Sequence, residues 1–195
     1  MNSITKSYMG FYVLSKLLQG HLPHKQANNI VSATHAVGAS ALCYSHLWKL
    51  SSFTLFKNFS TGYFLHDAVQ LAYSGKLSTM NLAFLYHHLS AIYLLNSSVN
   101  ATFISNLFFW AEISNFPTYP LYHYLHKKEG GHEEKIKCLR YVQKIVYTCI
   151  RIILLTQMIH NYLNKKGDKR IPLPLLGVLP VYFMGLTWTY KILSQ

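Results

Sequence analysis

Two carboxylates, Asp67 and Glu112, stand inside long apolar stretches of a 195-residue chain that holds only six acidic residues. The same stretches carry His35, His66 and the adjacent pair His87 and His88. Imidazole beside carboxylate is the chemistry of proton and acyl transfer: the ring takes a proton from a nucleophile or carries an acyl group, and the carboxylate sets its tautomer and aim. A charge at the centre of a bilayer costs about 2.5–3.5 kcal/mol on insertion scales, so such groups turn to a partner, the bundle interior or a water-filled cavity. Each of these residues lies near the middle of its own stretch, which lets them meet at one depth. Arg151, in the middle of a fifth stretch, supplies a cation. Arg140, Lys144 and Arg151 recur at steps of four and seven, a helix face that could pair with Asp67 and Glu112 or receive a phosphate head group.

Each of these residues also has a plainer reading. A lone histidine such as His35 serves equally well as a hydrogen-bonded packing residue, and Glu112 could simply be the ion-pair partner of Arg151. His87 and His88 favour function, because adjacent helical side chains point about 100° apart and both rings are satisfied only in a polar lumen. His21, His24, His46, His126, His132 and His160 fall at stretch ends or in loops, where water solvates them. Tyr63, Tyr86, Tyr93 and Trp110 read as bundle packing or interface anchors.

The elements that must position these groups are membrane helices. Hydrophobic residues make up 51% of the chain and charged residues 12%, and the mean hydropathy is positive, unlike a soluble domain. The net charge of +12 sits between the apolar runs, in Lys127, Lys128, Lys135, Lys137 and Arg140 and in Lys165, Lys166, Lys169 and Arg170. Positive loops flanking spans explain this better than nucleic-acid binding. Cys43, Cys138 and Cys149 form neither a disulfide framework nor a zinc site and read as packing residues. Residues 11–18 are too short, and too interrupted by Lys16, for a secretory signal.

Six windows are long and apolar enough to span: 27–47, 55–73, 78–96, 102–120, 138–162 and 172–192. The fourth should break at Pro117 and Pro120, leaving 121–125 as an interfacial or re-entrant piece. The expected architecture is all-α: a polytopic bundle of about six transmembrane helices, with an N-terminal cytosolic or interfacial segment over 1–26 and one transmembrane domain over 27–195. Basic residues near the span ends place both termini on the cytosolic side, against the four basic residues of the 163–171 loop. Asn96 and Asn100 open sequons in a loop then predicted to be lumenal.

STGYFLHD (Ser60 to Asp67), LYHHLSAIYLL (Leu85 to Leu95), FFWAEISNFP (Phe108 to Pro117) and, more loosely, the closing FMGLTWTYKIL stand in this order across successive apolar segments. Together they resemble the TLC domain, shared by ceramide synthases, the translocating-chain-associated membrane protein and several lipid-homeostasis proteins. The resemblance implies transmembrane helices around a central lipid-accommodating cavity, in the endoplasmic reticulum or a related membrane. Ceramide synthases use a double histidine to move an acyl group from acyl-CoA to a sphingoid amine, and His87 and His88 occupy the matching positions. The downstream synthase pattern His-Asp-x-Ser-Asp stands here as Ala111-Glu112-Ile113-Ser114-Asn115, a form closer to the non-synthase branches.

Four functions follow. The first is a protein that binds acyl or sphingoid chains and affects membrane lipid composition, with His35, His66, Glu112, Ser114, Asn115 and Arg151 at the lipid. The second is a ceramide synthase-type N-acyltransferase with His87, His88 and Asp67 as catalytic residues and acyl-CoA as co-substrate. The third, a di-iron hydroxylase, draws on His21-x-x-His24, His87-His88 and His123-x-x-His126; it requires His-x-x-His-His, and Phe84 stands where its first histidine would be. The fourth makes the polar groups inter-helix glue, worth about 0.6 kcal/mol per contact. No metal or resident cofactor is expected. The expected partners are membrane lipids and the bilayer, with no nucleic acid and with homo-oligomerisation left open.

Overall fold

The computed structural model describes residues 2–73, 78–126, 131–165 and 173–194, and these form helices and short turns only. The helices are α1 (Ser3–Gln19), α2 (His24–Leu47), α3 (Phe53–Tyr73), α4 (Thr79–Leu95), α5 (Ala101–Asn115), α6 (Thr118–Leu125), α7 (Glu133–Tyr147), a π-helical turn (Thr148–Leu154), α8 (Leu155–Lys165) and α9 (Leu173–Leu193). Every apolar window holds one of them, with α7, the π turn and α8 sharing the fifth. Side-chain caps start several: Asn2 accepts from the Thr5 amide, Ser78 from Asn81 and Asn100 from Phe103, each satisfying a backbone donor that the first turn leaves free. α5 stops two residues before Pro117, and α6 begins immediately after it, as the missing proline N–H predicts.

Side-chain contacts give the helix order and direction. Ser7 donates to the Phe59 carbonyl and Gln70 donates to Ser15, so α1 runs parallel to α3. Residues Ser3–Gln19, set apart from the bundle in the sequence reading, therefore form a helix along α3 with Phe11 and Ser15 buried. The approach is close: a Cβ on Gly62 would lie 2.5 Å from Ser7 Cβ. α2 lies antiparallel to α3, through His35 to Ser60 and Tyr63 to Ser32, and antiparallel to α5, through His46 to Ser105 and His35 to Glu112. Among the described residues seven traverses result, counting α5 with α6 and α7 through α8 as one each, and the start of α1 and the end of α9 lie at opposite ends of the bundle. α1, over residues that the sequence placed outside the spans, adds one traverse of the bundle to those of the six windows.

By length and composition one described helix, Glu133–Asn164, is long and apolar enough to cross a membrane. The others fall short for identifiable reasons: α4 and α5 have 17 and 15 residues, and α2 and α3 carry the inward-facing histidines and Asp67 that lower their hydropathy. Phe56, Leu94, Leu95, Ile104 and His35 are all essentially inaccessible, and the His35 ring is met by Phe11, Phe59, Tyr63 and Phe64. Leu17, Trp48, Leu50, Tyr73 and Tyr141 point outward. An apolar exterior around a polar-centred interior inverts the pattern of a water-soluble bundle. Cys43 is buried as a packing residue, but Cys138 and Cys149 are exposed on the outer face.

Candidate functional site

α3 and α4 present their ionisable residues to each other. His88 Nε2 lies 2.6 Å from Asp67 Oδ2, a charge-assisted contact that fixes the ring and leaves Nδ1 buried with no partner among the described residues. His87, one position back, turns away from Asp67 as the helical step requires; its Nδ1 is also buried with no partner among the described residues. Across the interior, His35 Nε2 lies 3.2 Å from Ser60 Oγ and Nδ1 lies 3.7 Å from Glu112 Oε1. Its ring stacks on Tyr63 with centroids 3.9 Å apart, and the Tyr63 hydroxyl donates to Ser32. His35 is thus both a packing residue and a member of the polar cluster.

α5 and the π turn build the opposite wall. Arg151 Nε donates to Ser114 Oγ at 2.7 Å, and Nη2 donates to the Ala111 carbonyl at 3.1 Å and to Asn115 Oδ1 at 3.0 Å. Tyr147 donates to the same Asn115 oxygen at 3.0 Å, and the Asn115 amide lies 3.4 Å from Glu112 Oε2. Arg151 and Glu112 share the wall, yet the guanidinium bonds neutral oxygens rather than the carboxylate. The cationic face expected from Arg140, Lys144 and Arg151 is not the one that lines the interior. Gln143, Tyr147 and Arg151, at steps of four, line it, and Arg140 is exposed. The π turn has a wider i→i+5 pitch, so the phase of α7 does not carry unchanged to Arg151.

Two cavities occupy the space between these walls. The larger, about 410 Å³, is lined by polar groups that include His35, Asp67, His88, Tyr119 and Gln143. The smaller, about 100 Å³, runs among Leu94, Leu107, Leu155, Ile159 and Leu186. Phe64, His87, Glu112, Asn115 and Arg151 line both and form the waist where they meet.

Of the residues expected at the site, the structure brings together His35, Asp67, His87, His88, Glu112, Ser114, Asn115 and Arg151. His66 stands apart at the α1 seam, hydrogen-bonded to Gln70 at 3.0 Å and edge-on to Tyr8. Tyr119, Gln143, Tyr147 and Trp188 line the larger cavity and escaped the sequence reading. The four-residue spacing of Gln143, Tyr147 and Arg151 was the available signal. Among the described residues no group of three or more His, Cys, Asp or Glu side chains is placed to hold a metal ion.

The sequence profile of the TLC domain matches residues 25–194. The chain belongs to the TLC domain family. At the level of the family it is a membrane protein connected with lipids. The TLC match begins at the start of α2, so α1 lies outside it although it packs along α3. No curated protein and no solved structure matches the chain.

Proposed function

We propose that the bundle spans an endoplasmic reticulum or related membrane as a multi-pass protein and holds one lipid in its interior, thereby adjusting membrane lipid composition. The head lies in the larger cavity among His35, Asp67, His87, His88 and Glu112, and the first carbons of the acyl or sphingoid chain lie in the smaller one, whose size of about 100 Å³ leaves the rest of the chain outside it. Ser114 and Asn115 hold the waist between the two. One observation carries this reading: a polar and an apolar cavity meet at a ring of shared residues, an amphiphile-shaped space in the interior of a TLC domain.

A second reading rests on the His88–Asp67 contact. With Nε2–H donating to Asp67, His88 Nδ1 keeps its lone pair and serves as a general base. A sphingoid amine would lose its proton to Nδ1 as its nitrogen forms the amide bond to the acyl-CoA carbonyl carbon. The C–S bond breaks and the CoA thiolate leaves with that proton. His87, at the waist, is placed to meet the acyl carbonyl.

Lipidomics of membranes expressing the wild type or the His87→Ala/His88→Ala double variant, matched in expression and supplied with acyl-CoA and sphingoid base, separates the readings. A histidine-dependent shift in phospholipid composition without new ceramide is expected. New ceramide made by the wild type alone would establish acyl transfer instead, and identical lipid profiles would reduce the histidines to inter-helix glue.

A further inference from the structure

Asp67 faces His88, and Glu112 faces His35, but among the described residues the hydrogen bonds of Arg151 go to the neutral oxygens of Ser114, Ala111 and Asn115, with its guanidinium over the Tyr147 ring. Among the described residues no carboxylate oxygen lies within 4.0 Å of the guanidinium. Its Nη1 donates to none of them; it lies beside Gly185, where a Cβ would stand 3.8 Å away. A half-buried guanidinium without a carboxylate in bonding distance carries a desolvation cost, and that cost falls when an anion arrives. The bonds at Nε and Nη2 hold the guanidinium plane, so the Nη1 edge is presented as a preorganised donor fork. Arg151 lines both cavities, and Leu155, Ile159 and Leu186 line the smaller one with it. The residue also projects from a π-helical turn, a departure from α-helical geometry that recurs at functional sites.

We propose that Arg151 receives the anionic oxygen of a lipid head, a carboxylate or a phosphate, on an amphiphile whose first chain carbons occupy the apolar cavity. This rests on the lipid-binding reading above and gives that lipid its charge. A neutral head would leave the guanidinium unanswered, and a cationic one would meet a like charge.

The full-length protein in detergent micelles would be titrated with radiolabelled palmitate, with hexadecanol and with inorganic phosphate, as wild type, Arg151→Gln and Arg151→Lys. The wild type should bind palmitate about tenfold or more tightly than hexadecanol, the scale of hydrogen bonds to a charged group. That preference should vanish in Arg151→Gln and be reduced but not lost in Arg151→Lys, which keeps the charge without the fork, with hexadecanol binding alike in all three. If Arg151→Gln fails to fold, its loss of hexadecanol binding reveals this, and the wild-type preference and the Lys variant still decide. Equal wild-type affinity for palmitate and hexadecanol would overturn the anion receptor and leave the lipid cavity standing; binding of neither would overturn both. Inorganic phosphate that displaces palmitate at equal concentration would overturn a lipid source for the anion.

Discussion

The seam between α1 and α3 and the wall made by α5, the π turn and α9 flank the same polar interior and are built in opposite ways. Along the seam, Gly62 admits Ser7 so closely that a Cβ would collide, Gln70 bridges Ser15 and His66 away from both interior cavities, and the groove of about 350 Å³ beside Ser7, Phe11 and Phe59 is lined by no ionisable side chain. At the wall, three hydrogen bonds hold Arg151 and still leave one of its edges facing space. His66 and His87 sharpen the contrast: the first lines neither the polar nor the apolar cavity, and the second lines both. Polar groups inside a bundle do not by themselves mark a site. Space beside them, with donors or acceptors that the protein leaves unmatched, does.

The seam is the place where a substitution should cost most. Gly62→Leu forces α1 away from α3, and overpacking of this kind costs about 1–3 kcal/mol or more. Thermal unfolding in detergent should show a large drop. Gly10→Ala, on the outer side of the same helix with nothing within 4 Å of the added Cβ, should instead gain about 0.5–1 kcal/mol. Equal stability for Gly62→Leu and the wild type would mean that the seam is looser than described.

The two histidines of α4 should then divide stability from function. His88→Ala strips Asp67 of its partner and should lower stability by about 1–3 kcal/mol as well as abolish the lipid effect. His87→Ala loses no hydrogen bond to a described residue, so its stability should change by less than about 1 kcal/mol while the lipid effect is lost. A His87→Ala protein that unfolds as readily as His88→Ala yet keeps its lipid profile would make this ring mere packing. Smaller still is His66→Ala, expected to cost about 0.6 kcal/mol with no change in lipids, since it removes the bond to Gln70 within α3 and the edge contact to Tyr8 of α1, away from both cavities. Any lipid change in that variant would erase the distinction between seam and wall. Tyr147→Phe should be the mildest at the wall, about 0.5–1.5 kcal/mol, because Asn115 Oδ1 still accepts from Arg151.

Much of the bundle was legible because apolar length is a strong signal, and each of the six windows holds a helix. α1 was not, for its sequence alternates Lys6, Ser7, Ser15 and Lys16 with apolar residues, and the small polar ones turn out to contact α3. The polar cluster was legible from mid-stretch histidines and carboxylates, whose desolvation demands partners. Which neighbour of Asp67 belonged to it was not: His66 and Asp67 differ by one helical step, just as His87 and His88 do, and only the position of α1 turns His66 out of the site. The cationic face was misjudged because an α-helical wheel cannot foresee a π turn.

The seven traverses of the described chain also bear on how the protein lies in a sealed vesicle. If each traverse crosses the membrane, as the proposed multi-pass reading requires, a tag fused ahead of Ser3 and one placed beyond Ser194 would face different compartments, and added protease would remove one and spare the other. On the same reading Asn100, in the turn between α4 and α5, would share the compartment of the first tag, and a sugar attached there would report that side.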